Sequence, residues 1–290
     1  MIWLLVAIFS AGSLFVQFKL WERYAVNNFP AIVINYIVAF LIGLVIIWPE
    51  YTWQEAWDKP FLLPMFLLGT VFIGIFLAIA VATQKIGVSV ATVATKMGMA
   101  IPVVVFIIIF DHEHMTWLKG CGLVLALLAV WLTSARGKAV FNTKALLLLP
   151  VIIFLGNGLI DFSLAYFSGP NFLTEPHDVY LMTSMPFAMS GIIGTILLLV
   201  NRLRGKKVIG RKEIIAGATL GTINFGAIWF FIEAVGAELL DKSAIVPIIN
   251  LGIVLMTTLA AVVVFKEKLN TKNLIGLAVA IIAITLFWLG

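Results

Sequence analysis

Long apolar runs recur along this chain, and short polar breaks separate them. Ten runs stand out, over 2–18, 30–48, 61–83, 88–110, 117–135, 145–167, 179–200, 214–235, 243–265 and 274–289. Each approaches the ~17–25 residues that a helix needs to cross a bilayer. The breaks between them, such as 49–59 and 201–212, are too short to fold separately. Helices are the expected element, because backbone amides in lipid must be satisfied within their own segment.

Composition removes the alternative of a water-soluble fold. The chain is 62% hydrophobic and 11% charged, against roughly 25% charged in soluble domains. A single cysteine, Cys121, excludes a disulfide framework. The first run lacks the basic leader of a signal peptide, so it reads as a retained first helix.

Lys and Arg collect on the cytoplasmic side of membrane proteins. Fifteen of the nineteen lie in odd-numbered breaks, six of them within 201–212, and three (Lys59, Lys119, Lys242) lie in or at the edge of even-numbered ones. The remaining one, Lys96, is inside the fourth run. This bias predicts an inner-membrane protein with both termini outside and 201–212 in the cytoplasm.

The two halves of the chain resemble each other. At an offset of 144, Leu4, Ile8, Gly12 and Phe18 meet Leu148, Ile152, Gly156 and Phe162. At 152, Leu68-Gly69-Thr70 and Gly74 meet Leu220-Gly221-Thr222 and Gly226. At 154, Ser89, Gly98, Glu113 and Gly122 meet Ser243, Gly252, Glu267 and Gly276. Leu and Ala matches are common between apolar runs, whereas ordered Gly and Glu matches are not. The fold class expected is an all-α membrane protein of ten transmembrane helices in two inverted five-helix repeats, 1–138 and 139–290. Five spans per repeat is odd, so the second repeat enters from the opposite side, as in many secondary transporters.

Ten spans in two such repeats resemble the drug/metabolite transporter superfamily, in its EamA-like branch. The closest likeness is the end of each repeat. An apolar helix runs into an acidic turn and then a glycine-containing helix, with Glu113, Gly120 and Gly122 in the first half and Glu267 and Gly276 in the second. His112 and Lys266 stand where that family usually has glycine before the Glu. The resemblance implies a ten-helix transporter and names no substrate, since members carry amino acids, sugars, nucleotides and drugs.

Polar residues within the runs are the site candidates, because charge inside a membrane is costly and tends to be functional. Lys96 shares a helical face with Ser89, Thr92 and Met99. Six residues on, Pro102 removes a backbone donor and frees the Gly98 carbonyl. A cation beside a kink suits a carboxylate or phosphate; the other reading is a lysine paired with an internal carboxylate. Its repeat equivalent is Asn250. Asp161, one turn after Asn157, is a candidate proton carrier or the counter-ion of Lys96. Counted from the inner span ends at 1.5 Å per residue, Lys96 stands roughly 12 Å in and Asp161 roughly 24 Å, so direct pairing requires a displaced or tilted helix. Glu233 is a further proton-coupling candidate or an interfacial carboxylate. Trp229 is a candidate cavity wall, as are Asn35, Thr183, Ser184, Phe187, Asn224 and Phe225, which equally serve packing.

Asp111-His112-Glu113-His114 reads as a polar turn, since adjacent ligands rarely close on one cation, and no metal is expected. No phosphate loop, nucleophile–base spacing or nucleic-acid-binding face is present, so no cofactor or nucleic-acid partner is expected. The resulting expectation is a non-enzymatic secondary transporter. It moves a small polar or anionic metabolite by alternating access, with protons as candidate coupling ions and lipid as its surroundings. Substrate binding falls to Lys96, Asn250, Asn157, Thr92 and Trp229. The rival readings are a lipid-phosphate flippase and an intramembrane group-transfer enzyme. Nothing in the pattern specifies an oligomeric state.

Overall fold

The computed structural model describes residues 1–48, 52–85, 88–110, 113–134, 144–205, 209–266 and 269–290. Among these the regular structure is helical throughout. In chain order it comprises α1 (Ile2–Arg23), α2 (Asn28–Ile47), α3 (Trp53–Trp57), α4 (Leu62–Lys85), α5 (Val88–Met97) and α6 (Ala100–Ile109). It continues with α7 (Trp117–Ser134), α8 (Lys144–Phe167), α9 (Asp178–Leu203), α10 (Arg211–Gly236), α11 (Lys242–Val263) and α12 (Thr271–Leu289). Eight of them (α1, α2, α4, α8, α9, α10, α11 and α12) are long and apolar enough to cross a membrane. The chain is therefore a multi-pass helical membrane protein. Two shorter apolar helical stretches, Val93–Ile109 and Trp117–Thr133, occupy the fourth and fifth predicted runs.

The fourth run departs from expectation: it forms two ten-residue helices instead of one kinked span. Pro102 explains the break. It has no N–H to give the Gly98 carbonyl four residues back, and that carbonyl accepts from Ile101 N at 3.0 Å instead. The short α3 in the second break was also unforeseen. Thr52 and Glu55 close a capping box at its start, which satisfies two amides that a first turn leaves open.

The helices sort into two compact units, Met1–Gly74 with Tyr166–Gly236, and Ile75–Ala165 with Ala237–Gly290. Each unit draws on both halves of the sequence. In the first, α10 packs on α1 and α2, and α2 packs on α9. Glycines set the approach. A Cβ at Gly221 would lie 2.6 Å from the Asn35 carbonyl and 2.9 Å from Val38 Cβ, and one at Gly69 would strike the Pro186 carbonyl and Met189 Cβ. These contacts are reciprocal: Gly69 and Gly221 are 152 apart, and both partners shift by 151. Asn224 donates to the Asn35 side-chain oxygen at 3.1 Å, while Thr183 and Ser184 bond carbonyls one turn back in α9. Asn35 and Asn224 therefore link α2 to α10, Thr183 and Ser184 bond within α9, and Phe187 and Phe225 are buried core.

In the second unit α7 packs on α12, and α11 packs on α6 and α12. The glycine contacts are again reciprocal. A Cβ at Gly122 would meet Phe287 at 3.3 Å, and one at Gly276 would meet Thr133 Cγ2 at 2.8 Å. Gly122 and Gly276 differ by 154, as do Thr133 and Phe287. The N-caps correspond too. Thr116 Oγ1 accepts from Lys119 N at 3.1 Å, and Asn270 Oδ1 accepts from Asn273 N at 2.9 Å.

Candidate functional site

Lys96 lies in the last turn of α5 and is 7% exposed. Its ammonium donates to Asn250 Oδ1 at 3.3 Å. The amide nitrogen of Asn250 donates in turn to Asp161 Oδ2 at 2.9 Å and to the Val246 carbonyl at 3.3 Å. Chemistry fixes the orientation of this amide. An ammonium only donates and an ionised carboxylate only accepts, so the oxygen faces Lys96 and the nitrogen faces Asp161. Three helices of the second unit thus bring together one cation, one carboxylate and a neutral side chain that bonds both.

Glycine backbones make this meeting possible. A Cβ at Gly98 would lie 3.0 Å from Gly158 N, and one at Gly158 would lie 2.8 Å from Gly98 O. The interruption between α5 and α6 therefore rests directly on the backbone of α8. Lys96 is two residues before that contact and Asp161 three after it. The unequal depths obtained by counting from the span ends assumed helices that begin level. The Gly98–Gly158 contact fixes a different stagger, and Asn250 bridges the two charges. Lys96 and Asp161 also attract each other electrostatically. Asp161 is half-buried, whereas Asn250 is 6% exposed, so the carboxylate is the more open end of the chain.

The remaining candidates divide. Asn157 sits one turn before Asp161 on α8 and donates to the Ile153 carbonyl at 3.1 Å, a bond within its own helix. Thr92 lies in α5 one turn before Lys96, and its side chain is outside the described residues. Trp229 and Glu233 belong to the first unit, where the indole Nε1 donates to Glu233 Oε1 at 3.2 Å. The Trp229 ring stacks on Phe230 with centroids 4.7 Å apart and lies 5.0 Å from Tyr180.

Asp111 and His112 lie outside the described residues, as does Glu267. Glu113, read from sequence as part of an external polar turn, is 2% exposed. Its carboxylate accepts from the backbone amides of Lys242 and Ser243, both at 3.0 Å. A carboxylate across the first amides of a helix satisfies open donors and favours the helix dipole. Glu113 thereby holds the start of α11, two turns before Asn250. Beside it, Lys119 pairs with Asp241, the residue preceding α11. The signal for Glu113 was present, since it matched Glu267 in the repeat, but its partners are backbone amides, which no residue pattern displays.

No family model matches the chain. An uncharacterized protein of Haemophilus influenzae is 26% identical over 290 residues, covering 97% of this chain and 95% of that one. Among solved structures, the crystal structure of one protein superposes with a TM-score of 0.75, covering 98% of this chain and 94% of that one at 14% sequence identity. At that identity the likeness is one of fold alone.

Proposed function

We propose that this protein is a secondary transporter of a small anionic metabolite, working by alternating access in the inner membrane. In this reading it has ten spans in two inverted repeats and is similar to the EamA-like branch of the drug/metabolite transporters. Its termini face outward and its 201–212 segment faces the cytoplasm. It performs no catalysis. Lys96 binds the anion; Asn250 shapes the site beside it.

The observation that carries this reading is the hydrogen bond between Lys96 and Asn250. The two residues are 154 positions apart, which makes them equivalents in the repeat. When two positions exchanged by a twofold rotation touch each other, the axis passes between them. In inverted repeats that axis lies in the membrane plane, where transporters hold substrate. The matching contacts that Gly69 and Gly221 make with their neighbours, and those that Gly122 and Gly276 make with theirs, support the same symmetry within each unit. A break between α5 and α6 beside the cation adds to the case, because discontinuous helices offer unpaired backbone groups to substrates. The identity of the pair differs across the axis, Lys against Asn, so a charged substrate meets one cation and one neutral amide.

Counterflow in proteoliposomes tests the proposal. Vesicles loaded with a mixed metabolite pool exchange a labelled anion saturably with wild-type protein, and Lys96→Gln abolishes the exchange while size-exclusion elution stays unchanged. Absence of exchange with folded wild-type protein overturns the reading.

A further inference from the structure

Glu233 stands in the last turn of α10, a helix long and apolar enough to cross a membrane, and it is half-buried. One carboxylate oxygen accepts from the Trp229 indole at 3.2 Å. Among the described residues the other oxygen accepts no hydrogen bond, and Glu233 has no ion pair. A neutral donor leaves the charge of the carboxylate uncompensated, which is costly in a membrane span. Three helices of the first unit gather aromatic rings on the indole that bonds it. By ring centroids, Trp229 lies 5.0 Å from Tyr180 of α9, 6.3 Å from Trp3 of α1 and 4.7 Å from Phe230 of α10. Phe230 is stacked on it at 24°, whereas Trp3 and Tyr180 are inclined to it by 44° and 52°. Inclined rings diverge and keep part of each face open. Trp3 is 37% exposed, and Tyr180, Trp229 and Phe230 are half-buried, while their α10 neighbours Phe225 and Phe231 are buried core. An interfacial belt accounts for tryptophans at span ends. Trp229, however, precedes Gly236, the end of α10, by seven positions, roughly 10 Å along the axis, and its N–H is turned to a carboxylate of its own helix.

We infer that Glu233, Trp229, Trp3, Tyr180 and Phe230 form a binding site for a small organic cation, an alkylated ammonium by class, at the end of the first unit where α1 and α9 begin and α10 ends. The inference does not rest on the transport reading, whose residues belong to the second unit. Glu233 supplies a full negative charge, and the rings supply the negative faces of their quadrupoles. The indole gives its positive edge to the carboxylate and so keeps its faces for a ligand. A cation within about 6 Å of a ring centroid is attracted to that face, and tryptophan is the strongest of the aromatic partners. Alkyl groups on the nitrogen add apolar contact with the rings. A metal ion is disfavoured, because hard cations take about six or more oxygen ligands and the cluster offers one carboxylate and a phenol. An anion would meet the carboxylate and be repelled.

Equilibrium binding of labelled choline to the full chain, purified in a maltoside detergent that carries no choline headgroup, tests the inference. The expected result is saturable binding that tetramethylammonium displaces and that dimethylbutanol, the uncharged isostere of choline, does not. Glu233→Gln should weaken binding about tenfold, as loss of a charged partner implies, with size-exclusion elution unchanged. Trp3→Leu, at a partly exposed ring in the first turn of α1, should weaken it about threefold, and it decides the matter if Glu233→Gln does not fold. Absence of saturable binding by folded wild-type protein overturns the site. So does displacement by dimethylbutanol as readily as by tetramethylammonium, or wild-type affinity in folded Glu233→Gln. Each of these failures leaves the transport reading standing, since that reading is decided by anion counterflow.

Discussion

Asn250 accepts from the Lys96 ammonium and donates to the Asp161 carboxylate, so a single neutral side chain bonds both charges. This arrangement differs from a direct ion pair in one respect that matters for the proposed transport. A direct pair closes over its own charges, and an anion must compete with a carboxylate in contact with the lysine. Here Lys96 donates to an amide oxygen, a weaker acceptor than an ionised group. The anion can therefore displace it while Asp161 remains held at the other end.

Removal of the bridge should separate binding from retention of the fold. Asn250→Leu preserves much of the volume but leaves Lys96 and Asp161 without their shared partner. Loss of a partner to a buried charged group costs about 1.5–3 kcal/mol. The expected outcome is a lower Tm in detergent together with at least tenfold slower anion counterflow. Asn250→Asp places a second carboxylate beside Lys96, and anion exchange should fall further still. Unchanged exchange in both variants would remove Asn250 from the site.

The approach of α8 to the break between α5 and α6 gives a second prediction. A methyl at Gly158 would meet Ile101 Cδ1, and it would also lie 2.8 Å from the Gly98 carbonyl. The side chain can give way, whereas the carbonyl belongs to the break itself. Overpacking of this kind costs about 1–3 kcal/mol. Gly158→Ala should therefore lower the Tm and slow exchange, and the added Ile101→Ala should recover only part of both. Full recovery would mean that the backbone contact does not set the site.

Much of the fold was legible in the residues. The long apolar runs and their breaks follow from hydrophobicity and length, and the helix ends depart from the runs by a few residues. Lys96, Asn250 and Asp161 were each noticeable as polar residues within apolar runs. Their mutual arrangement was not, because depth counted along separate helices says nothing of how those helices are staggered. That stagger is fixed by Gly98 against Gly158, a contact of backbone with backbone. The break at Gly98 was partly legible, since Pro102 announced a missing donor without saying that the helix would divide. Glu113 was hidden for a related reason: its bonds go to the amides of Lys242 and Ser243, and every residue but proline carries an amide.

Glu113 is the subject of a third prediction. Its two oxygens satisfy two amides at the start of α11, and Glu113→Gln replaces one acceptor with a donor that faces an N–H. Charge-assisted bonds of this type are worth about 1.5–3 kcal/mol, so Glu113→Gln should lower the Tm in detergent by several degrees. Because Asn250 stands two turns further along the same helix, exchange should weaken as well. Glu113→Asp, which keeps the charge at shorter reach, should be intermediate in both measurements. A Tm equal to wild type for Glu113→Gln would show that the cap contributes nothing.

Orientation rests on the distribution of Lys and Arg, and each of the three exceptions has a partner. Three lysines lie in or at the edge of even-numbered breaks. Lys59 pairs with the buried Asp178 at 2.8 Å, and Lys119 pairs with Asp241. Lys242 lies 5.7 Å over the Phe110 ring and is attracted by Glu113 and Glu238. Cysteine labelling checks the resulting topology. Gly205 adopts φ +74, which disfavours a side chain, so the exposed neighbour Arg204 is the better inner position and the exposed Gln54 the outer one. With Cys121→Ser as background, Gln54→Cys should react promptly with a membrane-impermeant maleimide in intact cells. Arg204→Cys should react only after permeabilisation. The opposite pattern would invert the protein in the membrane, turning the inner and outer faces of the proposed anion pathway about.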